Sequence, residues 1–236
     1  MAYRRVARYS KSESKTPYLL WHSHTLPPMV ASQSFDPSLD ATFVAVIDPA
    51  MKNNCLRLGM RDHKTGQIYT LLQVKEDLTK DVTGDTGYYF GASRMLDKYA
   101  HRLIWTHYII IESQMKMNYD MTRLCQHQIS YLMALTRNQG FRPIIIELDA
   151  KIKSKIHQAP KMTKPQLKKW AVEKAIAILL ARGDKETARL ISIAKKGDDH
   201  GDTVCYEDAW WMILDQGLYP VPRVQAPRPQ AVLSIE

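Results

Sequence analysis

The sequence predicts an α/β fold, a mixed five-stranded sheet flanked by helices, and three observations carry that reading. Short apolar, β-branched runs of strand length recur five times along the chain. The first three follow one another closely, as in an antiparallel meander. The last two are separated by a helix-length segment of 3.6-residue apolar period, and strand alternating with helix calls for parallel neighbours.

Taken in order, residues 1–40 carry Pro17, Pro27, Pro28 and Pro37 and no sustained apolar period, and read as a basic arm or irregular extension. The main domain is expected over residues 41–218. It opens with ATFVAVIDPA, a buried strand closing at Asp48. Residues 55–60 and 67–74 make the next two strands, joined by the turn-forming DHKTG. A helix is expected over 88–103, and HYIIIES is the fourth strand, running out at Glu112. Over 119–138 the residues Met121, Leu124, Cys125, Tyr131, Leu132 and Leu135 keep helical spacing, with Gly140 as the stop. FRPIIIEL is the fifth strand. Thr163 then fits an N-cap and Pro165 an early helical position, before the apolar face Leu167, Trp170, Ala171, Ala175, Ile178 and Leu179, with Gly183 ending the helix. Short helices over 185–194 and 201–214 complete the domain. Residues 219–236 contain PVPRVQAPRPQ and are expected to be extended or disordered.

At 236 residues and 27.2 kDa the chain fills one core with appendages. Its formal charge of +9 draws polyanions, nucleic acid or an acidic membrane face. No run reaches the roughly 18 apolar residues of a membrane span. Cys55, Cys125 and Cys205 are odd in number and widely spaced, against a disulfide framework or a zinc knuckle and in favour of a reducing, intracellular compartment. The start, MAYRRVARYSKSESK, lacks a secretory apolar segment. It reads as a solvated basic arm, with an organelle transit peptide as the alternative.

The chemistry lies in the carboxylates. Asp48 and Glu112 each close a buried apolar strand, where a carboxylate is partly desolvated and calls for compensating positive charge. KKGDDHGDTVCYEDAWW adds an acidic cluster in which Asp199 and Asp202, three apart at a helix start, share one face. Converging carboxylates without paired cysteine or histidine spacing select a hard cation such as Mg²⁺ or Mn²⁺ over zinc. Two such ions about 3.5–4 Å apart would activate water and steady a leaving oxygen in phosphodiester hydrolysis. The plainer reading is a turn acid at each strand end and a helix cap at residues 198–202.

FVAVIDPA, YIIIESQ and KKGDDHGDTV together resemble the three acidic motifs of the RuvC-type Holliday junction resolvases, especially the poxvirus-like and fungal mitochondrial branches, over residues 42–214. The resemblance implies a ribonuclease H-like fold in which Asp48, Glu112, Asp199 and Asp202 hold Mg²⁺, two ions per site, with Mn²⁺ as a substitute. Asp198 replaces Asp199 if the motif is shifted by one residue. The resemblance further implies a homodimer that cuts four-way DNA junctions symmetrically, at a viral replication site or in mitochondria.

Eight lysines and one acid, Glu173, lie between Lys151 and Lys174, placed to neutralise phosphates along a DNA arm or simply to form a solvated face. By resemblance, Lys153 and Lys164 match the lysines that stabilise charge on the scissile phosphate, while Lys155, Lys161, Lys168 and Lys169 are candidates for DNA contact. Met115 falls where the resembled family places an aromatic wedge. His200, inside the acidic motif, is a poor ligand for a hard cation. Two other functions stand beside this one: a ribonuclease H-like nuclease for RNA:DNA hybrids or flaps, which would share every acid, and a junction-binding protein without catalysis, which needs the basic patch but not the carboxylates.

Overall fold

The computed structural model describes residues 19–22, 41–114, 117–137 and 143–217. Met115, most of the N-terminal arm and the Pro-rich tail lie outside the described residues.

The five expected strands are present as β2 (Ala41–Asp48), β3 (Asn54–Asp62), β4 (Ile68–Glu76), β5 (Tyr108–Ser113) and β6 (Ile144–Asp149). A sixth, β1 (Leu19–His22), lies within the stretch read as an irregular arm and pairs antiparallel with β6. The order is β1-β6-β5-β2-β3-β4, with β2 antiparallel to β3 and parallel to β5, and β5 parallel to β6. The meander and the alternating half thus meet on β2, the strand that ends in Asp48.

Strand alternation divides the core. Ala45, Ile47, Ile109, Ile111 and Ile145 point to one face, where α1 (Gly87–Lys98) and α3 (Tyr119–Thr136) cover them through Met95, Leu96, Leu124 and Leu132. Val44, Val46, Tyr108, Ile110, Ile146 and Leu148 point to the other, against Tyr206, Trp210, Trp211 and Ile213 of α7 (Gly197–Asp215). Outside α7, α5 (Lys164–Ala181) and α6 (Lys185–Ile193) bury Ala175, Leu179, Ala188 and Ile191 against Val204 and Cys205. No helix among the described residues is long and apolar enough to cross a membrane.

Three local differences from the sequence expectation bear on the site. The helix expected over 88–103 bends at Tyr99, whose hydroxyl donates to Glu76 on β4, and resumes as α2 (Ala100–Leu103). The lysine-rich link holds a short helix, α4 (Ile152–Ile156), anchored by the buried Ile152. Helix α7 begins at Gly197 rather than 201, because Lys196 takes a left-handed conformation (φ 57°) that turns the chain into the helix. The acidic motif is therefore part of α7 itself.

A buried ionic cluster fixes how α7 lies on the sheet. Arg57 on β3 is fully buried and donates to Glu207 Oε2 at 2.9 Å, Gln73 Oε1 at 2.8 Å and Thr70 Oγ1 at 2.8 Å. Arg182, just past α5, donates to the same Glu207 oxygen at 2.7 Å and also to Asp208. The Arg57 and Arg182 guanidinium groups overcome the cost of burial and hold Glu207 below its ordinary value. Gly59 is the complement of this cluster, since a Cβ there would lie 1.5 Å from Glu207 Oε1. Breaking a buried pair strands a charge at a cost of about 3–5 kcal/mol. Gly59→Ala should thus lower the unfolding free energy by roughly 3 kcal/mol, read from urea unfolding, and a variant as stable as the parent would show that α7 does not depend on this contact.

Candidate metal centre

The sheet places the acids before any side chain chooses a rotamer. Asp48 has the same parity as Val44 and Val46, and Glu112 the same as Tyr108 and Ile110, so both face α7. In the parallel register Ile47 lies beside Ile111, which sets Asp48 beside Glu112 one step on. Across the antiparallel side Asp48 pairs with Cys55, and Cys55 with Lys75. One row over the end of the sheet therefore reads Lys75, Cys55, Asp48, Glu112.

Helix α7 brings the third acid. Asp48, Glu112 and Asp202 each offer a carboxylate oxygen within 4.8 Å of the others. The Asp48 and Glu112 carboxyl groups lie side by side in this cluster. Burial, then the Glu112 and Asp202 carboxylates, raise Asp48 well above the usual carboxylate range. Burial also raises Glu112, against the pull of Lys153. Tyr206, one helical turn beyond Asp202 and with its ring in the core, sits beside Glu112, and burial followed by the Glu112 and Asp48 charges pushes its phenol well up.

Of the lysines expected at the site, Lys153 reaches it. It is 5% exposed, its Nζ lies 2.7 Å from Asp202 Oδ1, and the ammonium stands 4.8 Å from the Tyr206 ring centroid. Burial works against its charge, but Glu112 and Asp202 outweigh it and hold its pKa above that of an ordinary lysine. Lys164 stands exposed at the first turn of α5, and Lys155 and Lys161 are likewise exposed. Lys168 bridges to Asp198, and Lys169 lies 3.7 Å from Glu173.

Asp199 is adjacent to the triad but not in it. One of its oxygens is 3.6 Å from Lys75 Nζ and is buried without a hydrogen-bond partner. Lys75 also donates to the carbonyls of Lys195 at 2.8 Å and Lys196 at 3.0 Å, fastening the left-handed turn that starts α7. Sequence reasoning missed Lys75, because only the strand register, with its irregularity between Leu58 and Gly59, puts it in the acid row. Tyr206 was missed as well, although its place four residues beyond Asp202 on a helix is a signal that could have found it. His200 turns aside to Gln73, with 3.0 Å between Nδ1 and Nε2, and burial, then Lys75, lower it to about 4, so it stays neutral.

The donor set fits a hard divalent cation. Its ligand atoms are carboxylate oxygens, they converge, and the like charges are partly desolvated. The three cysteines are free and buried, and lie outside this donor group.

This is a ribonuclease H-like fold, with the acids grouped over the end of its central strands. Similar solved structures are the fowlpox virus Holliday junction resolvase (TM-score 0.52, 13% identity, covering 72% of this chain and 99% of that chain) and Thermus thermophilus RuvC (TM-score 0.51, 12% identity, 73% and 96%). The fowlpox virus resolvase with substrate Holliday junction DNA is similar at TM-score 0.50 and 14% identity, over 73% and 99%. No family model and no curated protein matches the sequence.

The raised Asp48 and Glu112 values define a pH response. In chelator the folded chain holds more protons than the unfolded one from the ordinary carboxylate range upward, so stability from this cluster is lost as pH rises through the raised values. Mg²⁺ should reverse that trend by favouring the ionised carboxylates, and calorimetry in buffers of different ionisation enthalpy should record proton release. Asp48→Asn should flatten the chelator slope in thermal melts against pH.

Proposed function

We propose that this chain is a metal-dependent endonuclease that resolves four-way DNA junctions as a homodimer. The observation that carries the proposal is the convergence of Asp48, Glu112 and Asp202 within 4.8 Å, on a fold similar to that of junction resolvases. Those three residues, with Asp199 one turn away on α7, would hold Mg²⁺, and Mn²⁺ in its place. When bound, the ions supply an activated water and charge neutralisation at the leaving oxygen.

The remaining steps belong to the chain's own side chains. Asp48 and Glu112 are fixed by strand register, so their carboxylates need little reorganisation to face an incoming phosphate. Lys153, buried and held at Asp202, supplies fixed positive charge where the scissile phosphate gains negative charge. Tyr206 walls the site beneath Lys153. The exposed Lys155, Lys161 and Lys164 neutralise phosphates further along a DNA arm, as does the overall charge of +9. A two-fold substrate met by two copies of the chain presents each metal centre with an equivalent strand. Free buried cysteines support a reducing intracellular setting, whether a viral replication site or a mitochondrion.

The test is Mg²⁺-dependent cleavage of a labelled four-way junction, with linear duplex, flap and RNA:DNA hybrid as controls. Paired symmetric cuts in the junction alone are expected, with Asp202→Asn binding the junction but leaving it whole. Preference for hybrid or flap would keep the metal chemistry and overturn the substrate, and no cleavage with any metal would leave a binding protein. Lys153→Met should slow single-turnover cleavage by about 10²–10³-fold, with junction affinity changed much less, whereas Lys164→Met should act on affinity.

A further inference from the structure

Lys153 and Lys75 both meet acids of the metal centre, and the fold holds them differently. Lys153 lies 2.7 Å from Asp202 with its side chain 6% exposed, enclosed above the Tyr206 ring. Lys75 stands at the far end of the acid row, on the edge strand β4, with its side chain 18% exposed. It also lines a cleft of about 960 Å³, bordered by Arg94 and Lys98 of α1 and by Ile193 of α6. A long flexible stem beside open space can swing its ammonium out of the row without displacing packed groups.

The acid that Lys75 meets is Asp199. Lys75 Nζ donates to the carbonyls of Lys195 at 2.8 Å and Lys196 at 3.0 Å, but approaches Asp199 Oδ2 only to 3.6 Å, too far for a hydrogen bond. That oxygen is buried and accepts no hydrogen bond, so its attraction for a cation is not spent on a donor. Of the positive charges acting on Asp199, Lys75 is the largest, ahead of Lys168 and Lys196. Asp199 also adjoins the triad. It lies three residues before Asp202 on α7, and the charges of Asp48, Asp199 and Asp202 all bear on the Cys55 thiol, which stands between Lys75 and Asp48 in the row.

We propose that Lys75 is a displaceable counter-ion of the metal centre, which neutralises Asp199, competes with a divalent cation for that carboxylate and yields to it by swinging into the cleft. The proposal rests on the metal-centre reading above and adds a residue that controls it. Lys153 and Lys75 both carry positive charge at the centre, but only Lys75 has space to leave. A fixed lysine lowers cation affinity permanently, whereas a displaceable one lowers it by the work of moving a single ammonium. Lys75 therefore sets the affinity of whichever ion uses Asp199, and its removal should tighten that ion.

The test is binding of Mn²⁺, followed by electron paramagnetic resonance, and of Mg²⁺, followed by calorimetry, to the full chain without DNA. Lys75→Gln keeps a donor for the carbonyls of the α7 turn and removes the charge, so the ion that uses Asp199 should bind about tenfold more tightly. Lys75→Met should tighten it too, and Lys75→Arg, which keeps charge and donors, should bind as the parent does. In an Asp199→Asn background Lys75→Gln should have no effect, because the competition runs through that carboxylate. Unchanged affinity in Lys75→Gln, or equal tightening with Asp199 and with Asn at that position, would overturn the proposal. Weaker binding would do the same, since a lysine that only fastens the turn predicts a loss, as would failure of both Lys75→Gln and Lys75→Met to fold in urea titrations. If Asp202→Asn binds Mn²⁺ as the parent does, the metal-centre reading itself falls and takes the proposal with it. If Asp202→Asn loses the ion while Lys75→Gln changes nothing, the proposal alone falls.

Discussion

Three carboxylates held within 4.8 Å of one another repel, and the surroundings of this site follow from containing that repulsion. At about 4 Å and an effective dielectric near 20, two unit charges oppose each other by roughly 4 kcal/mol. That is a large share of the roughly 5–15 kcal/mol that stabilises a domain. The chain offsets it with Lys153 at 2.7 Å from Asp202, with burial that favours the protonated forms of Asp48 and Glu112, and with the Tyr206 side chain beside Glu112. Each offset uses a different element, so α4, α7 and both central strands must all be in place. A divalent cation would remove the same repulsion more completely than a proton.

Holding α7 to the sheet is the second half of that constraint. Successive residues on a helix are 100° apart, so a slip of one residue would carry Asp202 away from Asp48 and Glu112. Apolar packing of Trp210 and Trp211 tolerates such a slip better than ion pairs do, because apolar contact is not directional. Arg57 and Arg182 meeting on Glu207, with Gly59 leaving room for that carboxylate, accept only one register. Because Glu207 lies five residues beyond Asp202 on the same helix, the ionic cluster beneath α7 fixes where Asp202 stands relative to Asp48 and Glu112.

Much of this was legible in the sequence because it depends on short-range pattern. The five strands show as β-branched runs, the carboxylates at their ends as acids closing apolar stretches, and the α5 start as Thr163 followed by Pro165. The unread parts depend on contacts between distant residues. Leu19–His22 becomes a strand only by pairing with β6, and its own pattern shows no period. The early start of α7 needs the Lys196 turn, which Lys75 holds from a strand 120 residues away in sequence. Lys153 and Lys164 looked equivalent as two lysines in one basic run. The buried Ile152, which seats α4 against the core, is what separates them.

The acidic motif also shows how one short segment serves both fold and chemistry. Asp198, Asp199 and Asp202 each face a lysine from a different element: Lys168 of α5, Lys75 of β4 and Lys153 of α4. These pairs are not equal. The Lys168 side chain is 54% exposed, so its pair is screened and contributes little. The Lys153 side chain is 6% exposed, and there neither charge is comfortable without the other. The gradient runs from a solvated pair at the start of α7 to a desolvated one a turn later. A positive charge arriving from outside would therefore gain most at the inner end, where solvent screens least.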